Sequence, residues 1–152
     1  MSTALLLAQT LLASPPSSLP AEPLEFREFF APSPRALRPS ARLLGLIGKR
    51  VRMVGYMAQM EEPPQGGFYL CPAPVQAAEG GGGTADLPPD AVFVVVKAAA
   101  SKPLAHIPRP LLVTGVLEVG PKADEEGHVS TIRILLDGPD RLPAPLPESP
   151  KR

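Results

Sequence analysis

The sequence predicts an all-β domain, specifically a small five-stranded OB-like barrel with a short N-terminal helix and Pro-rich tails. Three observations carry that expectation. The 152 residues include 22 prolines and 13 glycines, well above the roughly 12% the pair reaches in ordinary domains, and proline lacks an N–H and fixes φ, so it interrupts helices and central strands. Five short segments alternate or run apolar in the manner of strands and are separated by turn-forming residues. Two of these segments carry an internal glycine, Gly55 and Gly115, where a barrel strand is expected to bulge or bend sharply.

Taken in order, Ala4–Ala13 reads ALLLAQTLLA, the length of a signal-peptide apolar region and too short for a membrane span, which needs about 20 residues. SPPSSLP follows, and cleavage after Ala13 or Ala21 is the expectation, although no Lys or Arg precedes the run and Leu11 and Leu19 are large for the −3 position. Residues 1–21 are therefore assigned to a signal peptide or apolar N-terminal segment, and residues 22–38 to a linker or arm whose Phe26, Phe29 and Phe30 cover the edge of the core. Residues 39–137 form the OB-like domain, and 138–152 a flexible polar tail. PSARLLGLIG, Pro39–Gly48, suits a short helix: Pro39 at an early position, Leu43, Leu44 and Ile47 on one face, and Gly48 at the C-terminal cap.

The strands follow. Arg50–Met57 alternates, with Val51, Met53 and Gly55 on one side and Arg52, Val54 and Tyr56 on the other. A turn at Pro63–Gly66 leads to Gly67–Cys71. Ala91–Lys97 is an almost continuous apolar run, as in a strand buried on both faces. Leu111–Val119 and His128–Leu136 complete the five, joined by the acidic, exposed PKADEEG loop. The prolines of AAASKPLAHIPRP allow at most a turn or two of helix there.

Composition narrows function. Net charge is +0 and the pI about 6.7, which counts against a nucleic-acid binder, usually clearly basic. A single cysteine, Cys71, excludes an internal disulfide and a Cys-rich zinc site, and with no Cys after the apolar run a lipid anchor on cysteine is excluded too. The Gly80–Gly83 run lacks the GK[ST] and following helix of a phosphate loop, so it reads as a flexible loop. No G-x-S-x-G or other nucleophile motif occurs, and Cys71 has no catalytic flank, so the chain reads as not an enzyme, with no cofactor. The weak metal candidates are Cys71, His106 and His128, on different elements and without ligand-type spacing. The basic cluster Arg35, Arg38, Arg42, Lys49, Arg50 and Arg52, with Tyr56 and Tyr69 on the first two strands, has the ingredients of a single-strand nucleic-acid face. A solvated basic face offset by Glu61, Glu62 and the acidic loop is the plainer reading.

GKRVRMVGYMAQME, GFYLCPAP, DLPPDAVFVVV and PLLVTGVLEVG, in that order over residues 45–136, resemble an uncharacterised bacterial domain family. The resemblance implies an exported OB-like protein, often encoded beside ABC-transporter genes and in some cases linked to zinc homeostasis. The Cys-x-His element such members carry before the Pro-rich segment is missing here, where the chain reads GGGTADLPPD. A metal role therefore does not transfer.

The expectation that emerges is an exported, non-enzymatic binding or accessory module of an envelope system. It would bind a partner protein or small ligand through the strand 1–2 surface of Arg52, Tyr56 and Tyr69 and the loop 72–90. A single-stranded nucleic-acid-binding domain and a weak metal-binding accessory protein are the alternatives.

Overall fold

A computed structural model describes residues 20–77, 86–97 and 102–137. The apolar N-terminal run, the Gly80–Gly83 loop and the polar tail after Asp137 lie outside the described residues. The fold is mostly β, with a single five-residue α-helix among the described residues. In chain order the elements are β1 (Glu22–Pro23), a 3-10 turn (Phe26–Glu28), β2 (Phe30–Ala31), β3 (Arg38–Pro39), α1 (Ala41–Gly45), β4 (Arg50–Met57), β5 (Gln59–Met60), β6 (Gly67–Cys71), β7 (Gln76–Ala77), β8 (Val92–Val95), β9 (Leu111–Ala123) and β10 (Val129–Leu136). The five expected strands are β4, β6, β8, β9 and β10. β8 is shorter than its apolar run, and β9 runs on through Pro121–Ala123, so only a tight turn remains of the acidic loop. The described part of the segment before β9 is irregular.

The main sheet follows the order β1-β4-β6-β8-β10-β9, and β4 also pairs with β9. Each of the five long strands thus has a neighbour on both sides, and the pairings form a circuit. β8 and β10 run parallel, while the other pairs in the circuit are antiparallel. β4 serves two partners along its length: β9 from Arg50 to Gly55, then β6 at Tyr56 and Met57.

The handover falls at Gly55. A Cβ there would lie 2.8 Å from the Cys71 carbonyl oxygen and 3.0 Å from Phe26. Gly115 is tighter still, with its missing Cβ 2.1 Å from the Leu135 carbonyl oxygen. Neither has a positive φ, so both glycines are needed for close backbone approach, which any side chain would block. The bulge expected at them lies elsewhere: among the described strands the register shifts between Ser130 and Ile132 of β10. Gly67, at the start of β6, is a third site of close approach, where an added Cβ would lie 2.0 Å from the Val94 carbonyl oxygen.

Alternation sends Val51 and Met53 of β4, Phe68 and Leu70 of β6, Val92 and Val94 of β8, and Leu111 and Val113 of β9 into one core cluster. Leu24, Phe26 and Phe29 join the same cluster. Within residues 22–38 the arm thus docks on the core through these side chains, while residues 32–38 are exposed. Glu22 and Pro23 pair in parallel with Val51 and Arg52, Leu24 N–H donates to the Arg52 carbonyl at 3.0 Å, and Phe29 is completely buried. Each such buried side chain contributes about 1.5–3 kcal/mol.

The helix also differs from expectation. Pro39 pairs with Phe30 in the β2–β3 ladder, and Ser40 is the N-cap, accepting from Leu43 N–H. Its hydroxyl donates to the Glu28 carbonyl and so ties the helix start to the arm. Leu43 and Leu46 are the buried pair, while Leu44 and Ile47 are about half exposed. The reason is the spacing of the hydrogen bonds at the helix end: Leu46 bonds Leu43, Ile47 bonds Leu44 and Lys49 bonds Leu46. At three residues per turn, i+3 falls over i, which brings Leu46 under the core in place of Ile47. Gly48, at φ 77°, then turns the chain into β4.

Candidate functional site

The outward-pointing residues of the strand circuit make two different faces. On β6 and β8, Tyr69 opposes Phe93, with ring centroids 5.0 Å apart. Tyr69, Cys71 and Ala58 form a second apolar cluster against which Met60, Val75, Leu87, Ala91 and Phe93 pack. The segments flanking the β6–β8 connection therefore cover this face, and Tyr69 is only 8% exposed. Burial pushes its phenol above the usual value, with Asp124 adding to the effect. Burial also pushes the Cys71 thiol up to about 11, helped by Asp90. Next along the face, Arg133 of β10, opposite Phe93, is buried with its Nε and Nη1 hydrogen-bonded. It reaches Glu118 at 3.2 Å, the Gly120 carbonyl at 2.8 Å and the Ser130 carbonyl at 2.7 Å.

The three sequence-predicted metal candidates do not converge. Cys71 is a buried neutral thiol, a poor ligand without deprotonation. His106 lies on the irregular segment before β9, its Nε2 3.1 Å from the Met57 carbonyl oxygen. His128 belongs to the β9–β10 turn, with Nδ1 3.2 Å from Asp124 and 3.6 Å from Glu126. Slight burial works to raise the Asp124 carboxyl, but the hydrogen bonds from His128 and Glu126 outweigh it and hold the group below its usual value. No group of three or more His, Cys, Asp or Glu among the described residues is placed to hold a metal ion.

The second face lies on β4 and β9. Val54 opposes Leu112, and both remain more than 40% exposed, at 48% and 41%. Together with Arg52 and the arm residues Pro23–Arg27 they line an open groove of about 630 Å³. Its walls exist because the arm is pinned by the β1–β4 ladder and by Phe26 and Phe29 in the core. Further along β4, Tyr56 lines a second hollow of about 420 Å³ with Gln59, Gln76, His106 and Ile107. Of the predicted surface Arg52, Tyr56 and Tyr69, the fold thus leaves Arg52 and Tyr56 on the open side and buries Tyr69 on the other.

Arg52 differs from its neighbours in its partners. Arg27 sits 2.6 Å from Glu25, Arg42 is 3.7 Å from both Glu22 and Glu28, and Arg50 pairs with Asp137 at 2.5 Å. The Arg52 side chain has no hydrogen-bond or ionic partner among the described residues. Val54 and Leu112 did not stand out in the sequence reading as site residues. The available signal was an apolar residue at the outward position of each alternating strand, Val54 between Arg52 and Tyr56 and Leu112 beside Thr114.

No family model and no curated protein matches the sequence. Among solved structures, the chain is similar to the crystal structure of a DUF3299-family protein from Pseudomonas aeruginosa. The TM-score is 0.51 at 15% sequence identity, over 85% of this chain and 98% of that one. At that identity the likeness concerns fold. Among the described residues, no helix is long and apolar enough to cross a membrane. The fold is mostly β and similar to that of a protein with a domain of unknown function, and its geometry leaves one outer face covered and one open.

Proposed function

We propose that the chain is an exported, non-enzymatic OB-like binding module of an envelope system, and that it binds a partner protein through the outer face of β4 and β9. The OB-like reading is supported by the circuit β4-β6-β8-β10-β9, closed by the β4–β9 pairing, with β8 and β10 parallel. The observation that carries the binding reading is the groove in which Val54 and Leu112 stay exposed beside an unpartnered Arg52. Export rests on the apolar ALLLAQTLLA run. The nucleic-acid alternative is less favoured, because Tyr69, one of the two tyrosines on which it would stack bases, lies in the covered cluster.

Two measurements test this. N-terminal sequencing after fractionation of the native host should find a processed chain outside the cytoplasm; an intact Met1 or Ser2 start in the cytoplasm removes the export part. A photo-crosslinking amino acid placed at Leu112 should give a discrete protein adduct in cells. The same probe at Val129, also exposed but on β10, should not. Equal labelling from both positions, or none from Leu112, rejects this face as the binding surface.

A further inference from the structure

We infer that the groove between the N-terminal arm and the β4–β9 face reads an extended peptide of acidic and apolar character, with a carboxylate against Arg52 and an apolar side chain, two residues away, on Val54 and Leu112. This rests on the binding-module reading above and gives that face a ligand chemistry.

The spacing comes from the strand. Arg52 and Val54 are successive outward residues of β4, about 6.7 Å apart at the ordinary rise of an extended chain. Side chains on one side of an extended peptide repeat with the same spacing, so a peptide lying along β4 presents residues i and i+2 to Arg52 and Val54 in register. Leu112, opposite Val54, widens the apolar floor to two side chains, enough to seat one aliphatic or aromatic residue.

The charge preference comes from pairing. Arg27 and Glu25 on the groove rim neutralise each other at 2.6 Å. That leaves Arg52 as the groove guanidinium without a carboxylate among the described residues. Five N–H donors in a planar fork match a carboxylate and not an ammonium, so an acidic residue is accepted at that position and a basic one rejected.

The shape favours a peptide over a small molecule. Small-ligand sites bury most of the ligand's surface, whereas this groove has the outer side of a sheet as its floor, with Val54 and Leu112 both half open to solvent. A peptide needs only one side covered. It can also continue along β4 past Tyr56, into the hollow lined by Gln59 and His106.

The test is selection from a displayed random hexapeptide library on the immobilised full chain, followed by fluorescence anisotropy with the most enriched peptide. Enriched sequences should carry Asp or Glu two positions from Leu, Ile, Val or Phe. Arg52→Met should weaken the enriched peptide about tenfold, the scale of a hydrogen-bonded charge. Arg52→Glu should turn renewed selection toward Lys or Arg, and Leu112→Asp should abolish binding. Each variant should melt like the parent, which separates loss of binding from loss of fold. No enrichment over bare support, enrichment without a carboxylate, or binding indifferent to Arg52→Glu overturns the inference. So does full displacement of the peptide by decanoate or an oligothymidylate at equal concentration, since either assigns the groove to another class of ligand. A Leu112 crosslink in cells combined with acid-indifferent selection rejects the peptide chemistry alone. Loss of both rejects the binding-module reading as well.

Discussion

The two outer faces of the strand circuit are built from the same alternation and end differently. On β6 and β8 the outward side chains are Tyr69, Cys71 and Phe93, and the chain folds Val75 and Leu87 back over them. On β4 and β9 they are Arg52, Val54 and Leu112, and the arm rises beside them without closing over the top. The first face adds a second small core. The second leaves apolar surface next to an unpartnered charged side chain. An outward aromatic is thus a binding candidate only where no segment of the same chain already covers it.

The comparison can be broken or sharpened by variants. The largest effect is expected at the wall of the open groove. Phe29→Ala should lower stability by about 3–5 kcal/mol, as for a fully buried aromatic, and peptide binding should fall with it. A variant that melts like the parent would mean that the arm is not anchored as described. Next, the two faces can be set against each other directly. Tyr69→Ala should cost about 2–4 kcal/mol, while Leu112→Ala should stay within about 0.5 kcal/mol, as exposed positions do; equal losses in denaturant titration would erase the distinction. Gly67→Ala should follow at about 1–3 kcal/mol, because the added methyl forces a backbone shift at Val94, and Gly115→Val should be at least as damaging.

A smaller effect reports on the seal over the covered face. The Cys71 thiol is raised to about 11 by burial and by Asp90, against about 8.5 in an unfolded chain. Between those values the unfolded state loses its proton while the folded state keeps it, so the unfolded state binds fewer protons and stability falls as pH rises from about 9 toward 11. Cys71→Ala should flatten that fall in its lower half. The raised Tyr69 phenol sustains the upper half. A pH profile unchanged by Cys71→Ala would show the thiol to be in contact with water. The smallest effect on stability belongs to Arg52→Glu, within about 0.5 kcal/mol for an exposed side chain, alongside the largest change in peptide selectivity.

Much of the strand layout was legible. Arg50–Met57 and Gly67–Cys71 coincide with β4 and β6 because alternation and the Pro-Gly turn between them are local signals. That the arm's phenylalanines cover the core edge was legible, but its pairing with β4 was not, since LEFREFF between prolines has no strand or helix period. Its place in the core comes from a parallel pairing with Val51 and Arg52, about thirty residues away, that nothing local announces. The buried face of the helix departs from the α-helical period because the chain after Leu43 winds at three residues per turn. Of the expected site residues, Arg52 and Tyr56 lie on the open side. Tyr69 was lost to it because alternation tells which side a residue points to and says nothing of what covers that side.

By itself, the sequence determined the β class, the positions of the five long strands, and the inward and outward sides of β4, since these follow from residue chemistry at a period of two and from proline placement. It also singled out Gly55 and Gly115, as expected bends, while their close backbone contacts came from the structure. Only the tertiary structure decided that the arm pairs with β4, that the Tyr69–Phe93 pair is covered, and that Arg52 lines a groove whose Glu25 pairs with Arg27 instead. Each of these depends on contacts between segments far apart in the chain. Their energy comes from burial and charge pairing in three dimensions, and no local pattern encodes it.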